Sequence, residues 1–350
     1  MQTQYDMAQL ATVSKRSHCC RAVIRQSITD FIVEEVLAFT PSGEGGHVFL
    51  YIEKKGVNTA FLAQQLALFA GVPLQDVGYA GLKDRHATTR QWFSVKLEGK
   101  IAPDWKKFSS DTISIKAQHW HNKKLRRGGL LGNRFQLRLT EVKGQESDWL
   151  AGLDDIEKSG VPNYFAEQRF GHHYQNLQRV HDWFEMGKVP KRRHQKSLYL
   201  SAARSWLFNQ VLSYRVQQKT WNALSLGETA LLSGTKSSVF IVTESTTALA
   251  QRLATMDIHP TGPLWGKAQS PAMLTQQQEQ QILLPWLAWQ QQLEQLGLTM
   301  ARRALRVCPQ QWQWQYHKEV IELQFFLPAG SYATAVLREL ATIKNARAID

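Results

Sequence analysis

The sequence predicts an α+β protein in which a β-sheet domain is interrupted by a largely helical insertion. Segments with strand-like alternation of apolar and polar residues occur towards both ends of the chain, within residues 30–139 and 302–327. Amphipathic helical patterns fill the middle, the longest of them over residues 198–216. With 350 residues the chain is long enough for two ordinary domains.

Two strands and a helix are predicted at the start of the sheet domain. Residues 30–39 and 47–53 are rich in β-formers and are joined by the Gly-rich link 41–46, so we expect them to pair as a hairpin. Asn58 or Thr59 is expected to cap the helix that follows. The apolar positions of this helix include Phe61, Leu62, Leu66 and Phe69.

Residues 78–92 predict a strand, an irregular loop and a second strand, with Asp84 on the loop. Asp84 stands between Lys83 and Arg85, and His86 is close by. Neighbouring cations favour the charged form of a carboxyl group, so Asp84 should stay ionised at neutral pH. It is a candidate nucleophile or base beside groups that bind phosphate. The alternative is a solvated aspartate in a turn.

The later part of the chain continues the same alternation of strands, loops and helices. The predicted segments are a strand over 132–139, a helix near 145–155, an aromatic loop over 160–171, a tight Gly/Pro loop over 259–266, an amphipathic helix in the Gln-rich stretch 275–296, strands over 302–307 and 319–327, and a helix capped by Ser331 that runs to about Leu340.

The composition predicts a folded protein with a polyanionic partner. Hydrophobic residues make up 43% of the chain, and the net charge is +13 with a pI of about 9.7. An excess of this size points to nucleic acid before membrane. No run approaches the ~18 apolar residues of a membrane span. Three cysteines without zinc spacing fit a reducing cytosol, and we expect no structural metal.

Residues 105–127 carry seven lysines and arginines with aromatic side chains interleaved. The aromatic residues in this stretch include Trp105, Trp120 and His121. Cations together with flat rings suit RNA, because phosphates need charge and unstacked bases need stacking surfaces. The alternative interpretation is a solvated basic face.

Six segments resemble the tRNA pseudouridine synthase D (TruD) family. They are residues 30–35, 78–91 around the Lys-Asp-Arg-His-Ala run at 83–87, 132–135, 160–171, 201–210 and 327–339. Each motif is weak alone, but all six stand in the family's order. The resemblance covers about residues 24–340.

The resemblance implies a fold, a domain layout and an activity. The fold would be pseudouridine-synthase-like, with a mixed, mostly antiparallel sheet and flanking helices built from residues 1–158 and 307–350. The family's α/β TRUD domain would be inserted at 159–306. The activity would be isomerisation of uridine 13 of tRNA to pseudouridine, without a cofactor. The expected partner is tRNA, with no membrane and no obligatory protein partner, and we expect a cytoplasmic monomer.

The resemblance also assigns candidate site residues. Asp84 resembles the family's catalytic aspartate, while Phe31, Asn133 and Phe135 resemble conserved active-site residues. Tyr332 lies where the family places a substrate-contacting aromatic side chain, often Phe. Considered without the family, Phe31 would be a core residue of its strand, since buried Phe is the rule.

Two cations are candidates to accompany the Asp84 carboxylate, Arg25 and Lys83. The segment before Phe31 departs from the family pattern, because Arg25 stands where Lys is usual and Ile28 where Pro is usual. Arginine keeps the charge but binds as a planar fork, so the contact made at position 25 is expected to differ. The family pattern assigns no catalytic role to His86.

Two alternatives to a synthase follow from the same residues. A non-catalytic RNA-binding or tRNA-folding protein of the same fold would share the charge and the aromatic residues. The intact 83–87 motif together with Asn133 favours the synthase, because an inactive descendant has no need to keep a carboxylate there. A nuclease is disfavoured, since no group of carboxylates fits a two-metal site.

Overall fold

The computed structural model describes residues 5–14, 16–235, 237–268 and 274–346. The chain forms two compact units, each discontinuous in sequence. The first, called here the sheet unit, comprises His18–Leu150, Pro309–Gly330 and Ala341–Asp350. The second, called the helical unit, comprises Met1–Ser17, Ala151–Cys308 and Ser331–Leu340.

Strands occur in both units. In chain order the described strands are β1 (Arg21–Ile24), β2 (Phe31–Leu37), β3 (His47–Lys55), β4 (Val77–Tyr79), β5 (Thr88–Lys96), β6 (Ile113–His121), β7 (Leu130–Lys143), β8 (Val161–Pro162), β9 (Thr229–Leu232), β10 (Val239–Ile241), β11 (Ile258–Leu264), β12 (Ala301–Ala304), β13 (Arg306–Val307), β14 (Gln310–His317), β15 (Val320–Pro328) and β16 (Thr342–Asn345).

Most of the helices lie between β7 and β12. The described α-helices are α1 (Arg16–Cys19), α2 (Thr59–Phe69), α3 (Glu146–Ser159), α4 (Gln175–Phe184), α5 (Arg193–Gln217), α6 (Thr247–Ala254), α7 (Leu274–Ile282), α8 (Leu287–Gln295) and α9 (Ala333–Leu340). Within the described residues, no helix combines the length and the apolar character that crossing a membrane requires.

The sheet unit is built on a ten-stranded mixed sheet. Its central order is β14-β15-β7-β2-β5-β3-β6, with β4 paired to β5, and β1 paired to both β7 and β16. The β2–β5 and β1–β16 pairs are parallel, and the other described pairs of this sheet are antiparallel. The predicted mixed, mostly antiparallel sheet with flanking helices is therefore confirmed.

The predicted hairpin between the first two strands of the sheet domain is wrong. β2 pairs with β7 on one side and β5 on the other, and β3 pairs with β5 and β6. β5 therefore lies between the two strands that were expected to be neighbours. Because β2 and β5 run parallel, their connection must cross over the sheet, and α2 lies on that crossover.

Helix α2 covers one face of the sheet. Asn58 caps it, as predicted, by accepting hydrogen bonds from the backbone N–H groups of Ala60 (2.8 Å) and Phe61 (3.4 Å). Its buried positions follow helical spacing and are Thr59, Leu62, Ala63, Leu66 and Ala67. Phe61 lies off this stripe and is 52% exposed.

Helix α5 runs through the core of the helical unit, beside the sheet β10-β9-β11-β12. The tight loop predicted for 259–266 is instead largely the strand β11, with Pro260 opposite Ala230 and Gly262 opposite Arg303. A side chain at Gly262 would lie 3.1 Å from Phe208 of α5. This glycine therefore serves close packing between helix and strand rather than a turn.

A glycine on β7 lets two strands lie together beside the candidate site. Gly132 pairs with Pro328 of β15. A Cβ atom at Gly132 would lie 2.2 Å from the carbonyl oxygen of Leu327 and 2.4 Å from the Phe326 ring. Backbone cannot yield to such a contact without moving the strand.

One lysine is buried in the apolar face that α2 covers. Val48, Leu50, Ile52 and Lys54 alternate along β3 on this face, and Lys54 is 0% exposed. Its ammonium donates a hydrogen bond of 2.7 Å to the Val57 carbonyl oxygen. Burial lowers the pKa of Lys54 to about 8, with Asp84 and Glu35 acting in the opposite direction.

Gly132→Ala is expected to destabilise the protein. The added methyl group would meet backbone, so we expect a loss of about 1–3 kcal/mol or more and a melting temperature several degrees lower. Thermal unfolding followed by circular dichroism measures this loss. Gly81→Ala is the control, because no heavy atom lies within 4 Å of a Cβ there and its φ is not positive. Equal melting temperatures for the two variants would contradict the packing argument.

Lys54→Met is expected to stabilise the protein at pH 7. The charged form predominates there, and lowering its pKa from 10.5 to about 8 costs the folded state on the order of 3 kcal/mol. Loss of the bond to Val57 offsets part of this, leaving a gain of about 1–2 kcal/mol. Above pH 8, Lys54 has lost its proton in the folded chain but still holds it in the unfolded chain. Wild-type stability therefore rises towards pH 10.5, and the advantage of the variant shrinks.

The measurement is urea unfolding at pH 7 and pH 10, with Lys55→Met as the matched control. Lys55 is the next residue of the strand and is exposed. Its replacement should change the free energy of unfolding little at either pH. A Lys54→Met variant less stable than wild type at pH 7 would contradict the assignment of a destabilising buried charge.

Candidate active site

Strand register places four side chains on one face of the sheet. Three belong to the predicted site, and the fourth is Glu35. Phe31 and Glu35 are four residues apart on β2, and Asn133 and Phe135 are two apart on β7. Glu35 pairs with Asn133, and Val33 pairs with Phe135. Directly opposite residues project to the same side of a sheet, so these side chains converge.

Asp84 lies on the loop between β4 and β5, above this face. Its side chain is 34% exposed. One carboxylate oxygen accepts a hydrogen bond of 2.9 Å from the backbone N–H of His86, which fixes the turn. The other oxygen lies 3.0 Å from Nη2 of Arg25. The carboxylate is thus held at both oxygens while remaining open to solvent.

Arg25 is a strained and buried cation immediately after β1. It is 3% exposed, and its backbone has φ 61°, in the left-handed region that costs a non-glycine residue about 1–2 kcal/mol. Its Nε atom is buried without a hydrogen-bond partner in the described structure. Burial lowers the pKa of Arg25, and Asp84 acts against that shift. Such strain is characteristic of residues held in place for a function.

Two aromatic rings form the support beneath this cation. The guanidinium carbon of Arg25 lies 3.9 Å from the centroid of the Phe31 ring. The Phe31 and Phe135 rings are 6.4 Å apart and nearly perpendicular, and Phe135 stacks on Phe325 at 5.4 Å. Phe31 is 4% exposed and Phe135 7%, so both rings are covered in this structure.

Lys83 links the loop to the strands. Its ammonium lies 2.8 Å from the carboxylate of Glu35 and donates a hydrogen bond of 2.9 Å to Oδ1 of Asn133. An ammonium group only donates, so it must face the oxygen end of the Asn133 amide. The amide NH2 group of Asn133 is thereby left to donate elsewhere, and Asn133 is half-buried.

Six of the seven predicted site residues therefore come together in the sheet unit. They are Asp84, Arg25, Lys83, Phe31, Asn133 and Phe135. The seventh, Tyr332, belongs to the helical unit, where its ring is half-buried and lies 6.2 Å from Phe165, edge to face. Arg303 neighbours this pair, with its guanidinium 4.0 Å from the Phe165 centroid.

Four residues around the loop were not predicted from the sequence as site residues. They are Glu35, Lys54, Thr59 and Gln91. Alternation carried a signal for three of them, because Glu35, Lys54 and Gln91 are polar residues at inward positions of β2, β3 and β5. The sequence predicts for Thr59 only a capping role at the start of a helix.

The basic stretch of residues 105–127 forms a different surface from the one expected. Lys123, Arg126 and Arg127 are exposed, as a phosphate-binding surface requires. Trp105 is 3% exposed and packs against Phe69, so it is a core residue and offers no face to a base. The exposed cations of this stretch can still bind phosphates, but Trp105 cannot stack on a base.

The arrangement offers a specific set of chemical groups. A carboxylate open to solvent lies beside a buried cation, and the ammonium of the preceding residue, Lys83, binds the amide of Asn133. The carboxylate can act as a nucleophile or a base, and the amide can orient a carbonyl or hydroxyl group.

Comparison with known proteins identifies relatives along nearly the whole chain. The family model "tRNA pseudouridine synthase D (TruD)" matches residues 9–184 and 186–340. The chain is 45% identical over 329 residues to the tRNA pseudouridine synthase D of Nitrosococcus oceani, covering 93% of this chain and 92% of that protein. It is 43% identical over 325 residues to that of Hydrogenovibrio crunogenus, covering 92% and 93%.

A solved structure shares the fold. It is that of a Methanosarcina mazei protein described as a TruD-type tRNA pseudouridine synthase D, with a TM-score of 0.72, 20% sequence identity, and coverage of 94% of this chain and 95% of that one. At this identity the likeness shows the fold alone. The family model and the two bacterial relatives show more, and the chain belongs to the tRNA pseudouridine synthase D family.

Proposed function

We propose that this protein isomerises uridine 13 of tRNA to pseudouridine, with Asp84 as the reacting carboxylate. One observation carries the assignment. Asp84 is open to solvent yet is held by Arg25, a buried cation with a left-handed backbone. Membership of the family supports the reaction class, and the geometry supports the residue.

The reaction is an internal rearrangement. The bond between C1′ of the ribose and N1 of uracil breaks, the base turns, and C1′ bonds to C5. The hydrogen on C5 leaves as a proton, and N1 takes up a proton. Atoms and electrons balance within the uridine, so the stoichiometry calls for no redox partner, cofactor or second protein.

Two routes are open to the Asp84 carboxylate. It can add to C6 of the uracil, or it can act on the ribose, by attack or by deprotonation, and release the base. In both routes the carboxylate must be unprotonated and must reach a uridine that has left its stack. The Arg25 guanidinium lies 3.0 Å from the Asp84 carboxylate and would hold it in place in either route.

The other residues of the site are proposed to hold the flipped nucleotide. The NH2 group of Asn133 would donate to a uracil carbonyl or a ribose hydroxyl, with its orientation set by Lys83. Phe31 would support Arg25, and Phe135 would hold the Phe31 ring in place. Tyr332, in the helical unit, is proposed to contact the tRNA through its ring.

The surface charge suits a tRNA substrate. The net charge of +13 favours binding to phosphates, and binding of this kind weakens steeply as salt rises. Exposed cations occur in both units, among them Lys123, Arg126 and Arg127 in one and Lys191, Arg192 and Arg193 in the other. We propose that both groups contact the tRNA backbone.

Asp84→Asn is expected to abolish turnover while tRNA binding survives. Tritium release from tRNA labelled at C5 of uridine should fall by about 10³-fold or more, since asparagine neither attacks nor takes a proton. The dissociation constant for tRNA should stay within about threefold, because phosphate contacts dominate affinity. Asp111→Asn, at an exposed aspartate of the same unit, should keep wild-type turnover.

A transcript with cytidine at position 13 tests the modification site in the same assay. It should release no tritium with wild-type enzyme. Persistent release would move the target elsewhere in the tRNA. Wild-type turnover by Asp84→Asn would refute the role of the carboxylate. Binding without release by wild type would favour the non-catalytic RNA-binding protein.

Two substitutions at Arg25 should separate the effect of its charge on kcat from the effect of its planar shape. Arg25→Lys keeps a cation near Asp84 but loses the planar contact with Phe31, so kcat should fall by about tenfold. Arg25→Gln also loses the charge, and kcat should fall by about 100-fold. Arg21→Gln, at an exposed arginine of β1, is the matched control. Steady-state tritium release measures all three, and an active Arg25→Gln would contradict the ion pair's role.

A further inference from the structure

The loop that carries Asp84 has little packing of its own. From Gly81 to His86 every residue is either exposed or half-buried, and Leu82 is 70% exposed. Apolar burial therefore does not determine where this loop lies. Polar contacts from the strands and from α2 hold it instead, at Gly81 and at Lys83.

The first contact runs through the hydroxyl of Thr59. This group accepts a hydrogen bond of 3.0 Å from the backbone N–H of Lys83. Its single proton is donated to Oε1 of Gln91, also at 3.0 Å. Thr59 is 1% exposed and Gln91 is 0% exposed, so neither bond competes with water.

The second contact follows from the first. Because the oxygen of the Gln91 amide receives the Thr59 proton, its NH2 group faces the other way. That group donates a hydrogen bond of 2.7 Å to the carbonyl oxygen of Gly81. The loop is thus held at its start and at the residue directly before Asp84, by one chain of hydrogen bonds with a single consistent direction.

The third contact is made by a fully buried carboxylate. The Glu35 side chain is 0% exposed. One of its oxygens accepts a hydrogen bond of 2.9 Å from the backbone N–H of Trp92, and the other lies 2.8 Å from the Lys83 ammonium. The same ammonium reaches Asn133, so Glu35 sets the position of both Lys83 and the amide.

We infer that Thr59, Gln91 and Glu35 are positioning residues that hold Asp84 and Asn133 in their reactive places. All three are buried, so they act through the loop and Lys83 and do not touch the substrate. The inference rests on the proposed role of Asp84. It predicts that losing one hydroxyl group, at constant shape, slows turnover without weakening tRNA binding.

The test is a pair of variants at one position. Thr59→Val keeps the shape of the side chain and removes the hydroxyl, and Thr59→Ser restores it. We expect kcat of Thr59→Val to fall by about 10- to 100-fold, because misplacement of a reacting group lowers the rate of the chemical step. The KM and the dissociation constant for tRNA should stay within about threefold. Thr59→Ser should recover kcat to within about threefold of wild type.

A second pair uses neighbouring carboxylates on opposite faces of β2. Glu35→Gln removes the buried charge that holds Lys83, and kcat should fall by a similar factor at unchanged KM. Glu34→Gln is the matched control, since Glu34 faces the other side, where it accepts a hydrogen bond of 2.7 Å from Tyr51. It should keep wild-type kcat. If Thr59→Val does not fold, this pair still tests whether the buried residues position the reacting groups.

The outcomes separate this inference from the proposed function. Absence of tritium release by wild type, or full release by Asp84→Asn, would refute the proposed function itself. With wild type active and Asp84→Asn inactive, unchanged kcat in folded Thr59→Val and in Glu35→Gln would overturn the positioning role. An equal fall in kcat for Thr59→Val and Thr59→Ser would also overturn the positioning role, because loss of the hydroxyl would then not explain the slower turnover.

Discussion

The parallel pairing of β2 with β5 is the constraint on which the site depends. Its register sets Ile32 opposite Thr88. Asp84 stands four residues before Thr88, so the loop lies at the end of the sheet where Phe31 begins β2. Strand β1 pairs with β7, the other neighbour of β2, and delivers Arg25 to the same end. A hairpin of β2 with β3 would have separated the loop from this cation.

The site also contains buried charges, and burying them costs free energy. Arg25, Glu35 and Lys54 are all at most 3% exposed within or beside an apolar sheet face. Burying a charge is costly, and replacing a buried ion pair by apolar residues is often stabilising. Here the Asp84 and Lys83 side chains compensate two of the three. Arg25 is paired with Asp84 and Glu35 with Lys83, whereas Lys54 bonds only the Val57 carbonyl oxygen among the contacts described above.

Much of the fold was accessible from local pattern. Alternation located the strands, Asn58 marked the start of α2, and Leu340 marked the end of α9. The errors concern partners and packing. The predicted hairpin is wrong because a strand pattern does not show which strand lies beside it. Here β5 lies beside β3, and Phe93 and Val95 of β5 complete the apolar face of β3. The 259–266 run predicts a loop because its glycine and prolines signal turns locally, whereas close packing with α5 makes it a strand.

The sequence by itself determined which residues are candidates for the chemistry and which side of its strand a residue such as Phe31 or Glu35 occupies. Motif order pointed to Asp84, and period-2 alternation already put Glu35 on the face of Phe31. Only the tertiary structure decided what these residues touch. The left-handed backbone at Arg25 and the bond from Lys83 to Asn133, 50 residues away, follow from strand order and register. Periodicity reports the face a side chain takes, but contact depends on pairings between distant segments, which no local pattern encodes.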